Sequence, residues 1–233
     1  MADLRHWLDE VRTVPVEGMV EFFAHRIGIY EKTHLDHWAL EYDHIADYFD
    51  GELQTLLDLG CGTGLELEAV YRKYPNIRVT GIDLSDDMLA ELRKKYAKQS
   101  PMLIQADYVG YPFDQEEYDA VLSFESLHHF EYDQKRRIYD KVYRAVKPGG
   151  CYLECDYMAC CDEEERICLE SYRVRREYSG IPDGQFVHID IPLTLGHQVE
   201  LLQLAGFSAV TVLYQNCGTV ILRAEKDAID IES

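Results

Sequence analysis

Between Val16 and Asp50 apolar and aromatic residues recur at helical spacing, which predicts two helices, about 17–28 and 35–49. Beyond them the period changes. Short, nearly continuous apolar runs alternate with amphipathic stretches: strand "LQTLLDLG" (53–60), a helix from about 63 to Tyr74 stopped by Pro75, strand "RVTGID" (78–83) and a helix over 86–97. The alternation continues through "PMLIQAD" (101–107), "YDAVLSFES" (118–126), a helix from about Asp133 to Val146 closed by "KPGG", and "CYLECDY" (151–157). Strands apolar on both faces and separated by helices call for a parallel sheet covered on both sides. A charged helical stretch, Cys161 to Tyr178, leads into "SGIPDGQFVHIDIPLT", and a helix near 195–205 ends at Gly206. The last stretch, "AVTVLYQNCGTVILRAEK", reads as an antiparallel hairpin turning at Asn216 to Gly218.

Length and composition narrow the class. The 233 residues suit one α/β domain with an added segment, and 47% apolar with 28% charged residues is ordinary for a globular chain. The N-terminus has mixed charge and no window reaches the roughly 18 apolar residues of a membrane span, so a cytoplasmic location is expected. The seven cysteines are expected to be thiols, since the number is odd and no signal peptide precedes them. A net charge of −20 repels a polyanion, so a nucleic-acid partner is disfavoured and a small-molecule substrate preferred, with the protein a monomer or homodimer.

The junction "LLDLGCGTGLELEAV", Leu56 to Val70, sets glycines at 60, 62 and 64 between a strand and a helix. Such a turn brings backbone N–H groups and a helix start against a ligand. The dinucleotide pattern needs a glycine where this chain has Leu65, which disfavours a nicotinamide cofactor. Asp58, two residues before Gly60, would repel a pyrophosphate and attract an ammonium. An acidic strand end beside a glycine turn therefore suits S-adenosyl-L-methionine, which carries an α-ammonium and a sulfonium.

In order, "LDLGCGTG", "GIDLS", "QADYVGYPF", "YDAVLSFESLHHF" and "VKPGG" resemble the successive motifs of class I S-adenosylmethionine-dependent methyltransferases. The resemblance is close over about 53–157. It implies an α/β fold with a Rossmann-like, doubly wound, mostly parallel seven-stranded sheet, a C-terminal antiparallel hairpin and an N-terminal helical lid. The implied organisation is a lid over 1–50, a methyltransferase domain over 51–226 and a tail over 227–233, with an insertion at 158–193 forming part of an acceptor pocket. By the same resemblance Asp58, Gly60, Cys61, Gly62 and Gly64 form the methionine-binding loop. Asp83 takes the ribose hydroxyls, Leu84 and Met88 flank the adenine, and Asp107 takes its amino group with Ala106 and Tyr108 beside it. Ser123, Phe124 and His128 lie under the methionine part, and S-adenosyl-L-homocysteine is the product.

The methyl acceptor is less legible. His128 and His129 follow the fourth strand and so lie where open α/β sheets place their ligands. As imidazoles with an unperturbed pKa near 6.5 they are expected to serve as a general base. Tyr30, His34, Trp38 and Tyr42 share one helical stripe, giving Tyr30 and Trp38 as cofactor contacts and His34 as a third catalytic candidate nearer the acceptor. The same stripe spacing suits plain core packing. His188 and Arg173 or Arg176 could reach the pocket, while surface pairs with Glu163 to Glu165 and Glu170 are the blander use of those arginines. His34 and His37 lack the carboxylate–histidine signature of a zinc site, and the cysteines contain no C-x-x-C pair, so no metal is expected. Two alternatives stay open: an enzyme modifying the tRNA wobble base with a similar cofactor, and a non-catalytic cofactor-binding protein.

Overall fold

The computed structural model describes residues 1–182 and 184–228. Helices α1 (Ala2–Glu10) and α2 (Met19–His44) and a 3-10 turn (Ile45–Tyr48) precede β1 (Thr55–Leu59). Then come α3 (Leu67–Lys73), β2 (Arg78–Asp83), α4 (Asp86–Lys95), β3 (Met102–Gln105), β4 (Tyr118–Phe124), a 3-10 turn (Leu127–His129), α5 (Tyr132–Ala145) and β5 (Val146–Tyr157). The chain ends with α6 (Asp162–Ser179), α7 (Leu195–Ala205), β6 (Ala209–Asn216) and β7 (Thr219–Glu225).

The seven strands form one sheet in the order β3-β2-β1-β4-β5-β7-β6. The first five pair in parallel, and β7 enters antiparallel between β5 and β6. The fold expected from the sequence is therefore present. Every residue of β1 is buried, as a central strand with both faces covered must be. Leu56, Val70, Leu89 and Leu122 pack in the core on one side, and Leu57, Val121, Tyr139 and Leu202 on the other. The strand order reverses between β1 and β4, so the crevice at their carboxyl ends is where ligands gather in such sheets.

The N-terminal segment departs from expectation. Helical structure runs from Met19 to His44 and is broken by a kink at Trp38, so the two expected helices meet there and not between 28 and 35. Gly28 meets nothing within 4 Å and sits quietly inside the helix. At the kink the Trp38 indole N–H donates across to Thr219 Oγ1 of β7 at 2.9 Å. The stretch before Val16, given no element by the sequence pattern, forms α1, whose Arg5 pairs with Glu163 of α6.

The chain after α6 completes the crevice. Met19 N–H donates to Phe186 O, and Gly18 and Val187 form a bridge, so this loop docks on the start of α2. Val187, Ile189 and Ile191 are buried while His188 and Asp190 between them are not, a period-two alternation that turns the two polar side chains toward the sheet edge. Of the expected tail, residues 229–233 lie outside the described residues. Among those described, no helix is long and apolar enough to cross a membrane.

Candidate active site

Two cavities meet at the carboxyl edge of the sheet, and Phe23, Tyr30, Glu125 and His129 border both. The first is a narrow cleft of 70 Å³ over the glycine loop. Gly60, Gly62, Asp83, Leu84, Met88, Asp107, Tyr108 and Phe124 line it. Gly60 has φ +71° and a Cβ there would fall 2.0 Å from Ser126 Oγ, so no other residue fits. Asp83, at the end of β2, is held open by two backbone donors, Gly62 N–H at 2.9 Å and Ser85 N–H at 2.8 Å. Asp107 is anchored in the same way by Val109 N–H at 2.7 Å and Gly110 N–H at 3.1 Å.

Other residues expected at this site stand behind its surface. Cys61 is buried against Gly81, and Gly64 packs on Tyr96 and Leu92 while its carbonyl accepts from the Tyr96 hydroxyl at 2.7 Å. Ser123 is paired with the Tyr152 hydroxyl at 2.6 Å, and Ala106 packs in the core beside β3. They shape the loop and the strand ends. Asp58 is buried beneath the turn, and neither of its oxygens has a hydrogen-bond partner; the same holds for Glu66 Oε1. Burial first, then the charge of Glu66, pushes the Asp58 carboxyl well above its usual range. Two neighbouring buried carboxylates in an apolar setting are costly unless a cation or proton joins them.

Tyr30 is the partition between the cavities. Its hydroxyl comes within 3.0 Å of where a Gly62 Cβ would stand, and burial together with Glu66 and Asp83 holds the phenol protonated.

The second cavity, 430 Å³, lies between α2, the turn after β4 and the 186–190 loop. His34, Trp38, His128, His129, His188 and Asp190 border it, so Trp38 faces this space and not the glycine loop. His128 Nδ1 lies 2.5 Å from Asp156 Oδ1, at the end of β5. Burial pulls this imidazole down, but the Asp156 carboxylate outweighs it, and the pKa rises to about 9. His34 bonds the Tyr42 hydroxyl at 2.9 Å, and burial, reinforced by the charge of His128, lowers it to about 4. His129 is held well below its ordinary value by burial and by His128. The expectation of an ordinary imidazole base near 6.5 therefore meets none of the three in the structure.

Three carboxylates around His128 were missed by sequence reasoning: Glu125 and Asp190, which border the cavity, and Asp156 buried behind it. Their signals were the buried acid in "LECDY" and the alternation in "VHIDI". The arginines serve elsewhere, Arg173 with Glu131 and Arg176 with the carbonyls of Pro182 and Gln185.

Comparison with known proteins gives the geometry a relationship. Residues 56–150 match the family described as "Methyltransferase domain". The chain is 29% identical over 62% of its length to a malonyl-[acyl-carrier protein] O-methyltransferase of Ilyobacter polytropus, covering 57% of that protein. It is 28% identical over 73% of its length to a carboxy-S-adenosyl-L-methionine synthase of Chromohalobacter salexigens, covering 68% of it. The chain thus spans between about half and two thirds of the length of these curated relatives. Human N-acetylserotonin methyltransferase, solved in complex with S-adenosylmethionine, shares the fold with a TM-score of 0.62 at 18% identity, over 85% of this chain and 55% of that one. Over residues 56–150 the chain is thus similar to methyltransferase domains, and its fold is the one seen in solved S-adenosylmethionine-dependent methyltransferases.

Proposed function

We propose that this chain binds S-adenosylmethionine in the cleft over the glycine loop and transfers its methyl group to a small molecule held in the second cavity. The observation that carries the reading is the unpartnered Asp58 carboxylate beside Glu66, under a turn whose glycines tolerate close approach. An α-ammonium there supplies the charge the pair lacks. Asp83, already preorganised by two N–H groups, keeps its outward lone pairs for the ribose hydroxyls, and Asp107 receives the adenine amino group. Leu84, Met88, Ala106 and Tyr108 enclose the base, Phe124 supports the methionine part, and Ser123, Cys61 and Gly64 hold the strand ends and turn behind it.

When bound, the cofactor supplies a methyl carried on a sulfonium, already activated for displacement. The protein then has to align an acceptor with that methyl and keep water away. Tyr30, His34, His128 and His129 stand where the two cavities join, and we assign the three histidines to engaging the acceptor. A cavity of 430 Å³ beside the cleft favours turnover over mere cofactor retention. At 70 Å³ the cleft itself is below the roughly 300 Å³ of ordinary ligand pockets, so access requires Tyr30 and α2 to move outward. The 1–50 segment then acts as the lid, and 158–193 as the far wall of the acceptor cavity.

A small acceptor also agrees with the use of the cations. In the short basic runs 93–95, 135–137 and 173–176, Lys95 pairs with Glu31, Arg136 with Asp140 and Arg173 with Glu131, while Lys135 is buried, so much of their positive charge is matched by neighbouring acids. Calorimetric titration with S-adenosylhomocysteine tests the donor half, with saturable binding expected and its absence fatal to the reading. A screen of metabolite pools with methyl-labelled cofactor tests the acceptor half. Label appearing only in RNA would replace the small-molecule reading.

A further inference from the structure

The second cavity holds an arrangement that methyl transfer does not require. His128 Nε2 and Asp190 Oδ1 are 3.6 Å apart, and His129 Nδ1 and the same Asp190 oxygen 3.4 Å. All three donor atoms lie within 4.8 Å of one another. Tetrahedral coordination with bonds of about 2.0–2.1 Å separates its ligands by about 3.3 Å, so both measured edges suit one shared ion. We propose that His128, His129 and Asp190 form a binding site for a first-row divalent ion of the Zn²⁺, Co²⁺ and Fe²⁺ class.

Four further observations support it. The other nitrogen of His128 is tied to the buried Asp156 carboxylate, the outer contact by which metal-binding imidazoles are oriented and made more basic. The loop carrying Asp190 is pinned to the histidine turn: Ile191 N–H donates to His128 O at 2.7 Å. His128 and the loop carrying Asp190 are thus positioned before any ion arrives. Glu125 Oε1 is buried beside them without a hydrogen-bond partner, and the Glu125, Asp156 and Asp190 carboxylates converge on one imidazole. Finally, two imidazoles and a carboxylate are the mixed donor set that imidazole-preferring first-row ions accept, and they leave coordination positions open toward the cavity.

The 3.2 Å contact between His129 Nδ1 and Ile189 O competes with the ion. The ion takes the His129 tautomer whose proton sits on Nε2, and the Ile189 carbonyl then becomes a fourth neighbour. Asp190 is about half exposed on the cavity side, so an ion there stays open to an incoming heteroatom. An oxygen or nitrogen of the acceptor bound to it would be held and made easier to deprotonate, a role that rests on the methyltransferase reading above. The binding site itself does not.

The test uses the full chain, stripped with a chelator and dialysed. Titration with Co²⁺ is followed by its visible absorption, and titration with Zn²⁺ by calorimetry. The expected result is one equivalent bound, at least 100-fold weaker in Asp190→Asn and in His129→Ala, and about 10-fold weaker in Asp156→Asn. Asp190→Asn changes a half-exposed side chain, and melting curves verify that each variant folds. Failure of the wild-type chain to bind one equivalent, or equal affinity in Asp190→Asn and His129→Ala, overturns the proposal. Ion binding without S-adenosylhomocysteine binding would refute the donor site and leave the metal site standing.

Discussion

The two cavities are built by different means. The cleft proposed for the donor has a backbone-built floor: a glycine turn, and two acids each fixed by N–H groups within its own loop or the neighbouring one. Its parts lie between positions 60 and 108 apart from the walls contributed by α2, by the end of β4 with the turn after it, and by Phe186. The cavity proposed for the acceptor is made of side chains from α2, the turn after β4, the end of β5 and the loop near position 190. Backbone geometry constrains which residues can occupy a position, whereas a side-chain pocket can be relined one residue at a time. The difference teaches why one half of the site names its ligand and the other leaves it to the lining.

Mutation can break or sharpen that contrast. The largest effect is expected from Gly60→Ala, where the added Cβ meets Ser126 and the positive φ is strained. S-adenosylhomocysteine affinity should fall by about 100-fold or more, equivalent to about 2.8 kcal/mol, as read by calorimetry. Asp83→Ala removes the ribose acceptor and orphans two N–H groups, with an expected loss of about 1.5–3 kcal/mol in the same titration. If either variant binds normally, the cleft is not the donor site.

On the acceptor side the expected pattern is reversed. His34→Ala should leave S-adenosylhomocysteine affinity within about 2-fold while lowering kcat/KM for the acceptor by about 10-fold, or about 1.4 kcal/mol. An equal loss in both measurements would merge the two cavities into one site.

Asp58→Asn sharpens the donor side through pH. Its carboxyl titrates above the usual 3.8 in the folded state, so the stabilisation present in acid is lost as pH rises through the raised value. The ligand-free variant should therefore be at least as stable as the parent at neutral pH, with a flatter stability–pH curve, yet bind cofactor about 10-fold more weakly. Parallel curves for parent and variant would remove the buried-charge argument. The smallest effect is expected from Trp38→Phe, which deletes the hydrogen bond to Thr219 and should cost about 1 kcal/mol, or a Tm shift of about 2–4 °C.

Much of this was legible from the chain alone. The strands and helices from β1 to β5 announced themselves because a parallel sheet buries both faces, which leaves continuous apolar runs between helical periods. The glycine loop, Asp83 and Asp107 were legible because they follow strand ends at fixed local spacing, where backbone geometry dictates residue type. The break between the two N-terminal helices lies at Trp38 and not near Gly28, where propensity would put it, and at Trp38 the chain also touches β7 far along the sequence.

What the sequence determined, then, is the α/β fold and the glycine turn after β1, since both depend on periodicity and on short-range backbone constraints. Only the tertiary structure decided that Trp38 faces the second cavity, that Asp156 raises His128 to about 9, and that Asp190 comes beside two histidines about sixty positions earlier. Those outcomes rest on burial and on contacts between distant segments, which no local pattern of residues encodes.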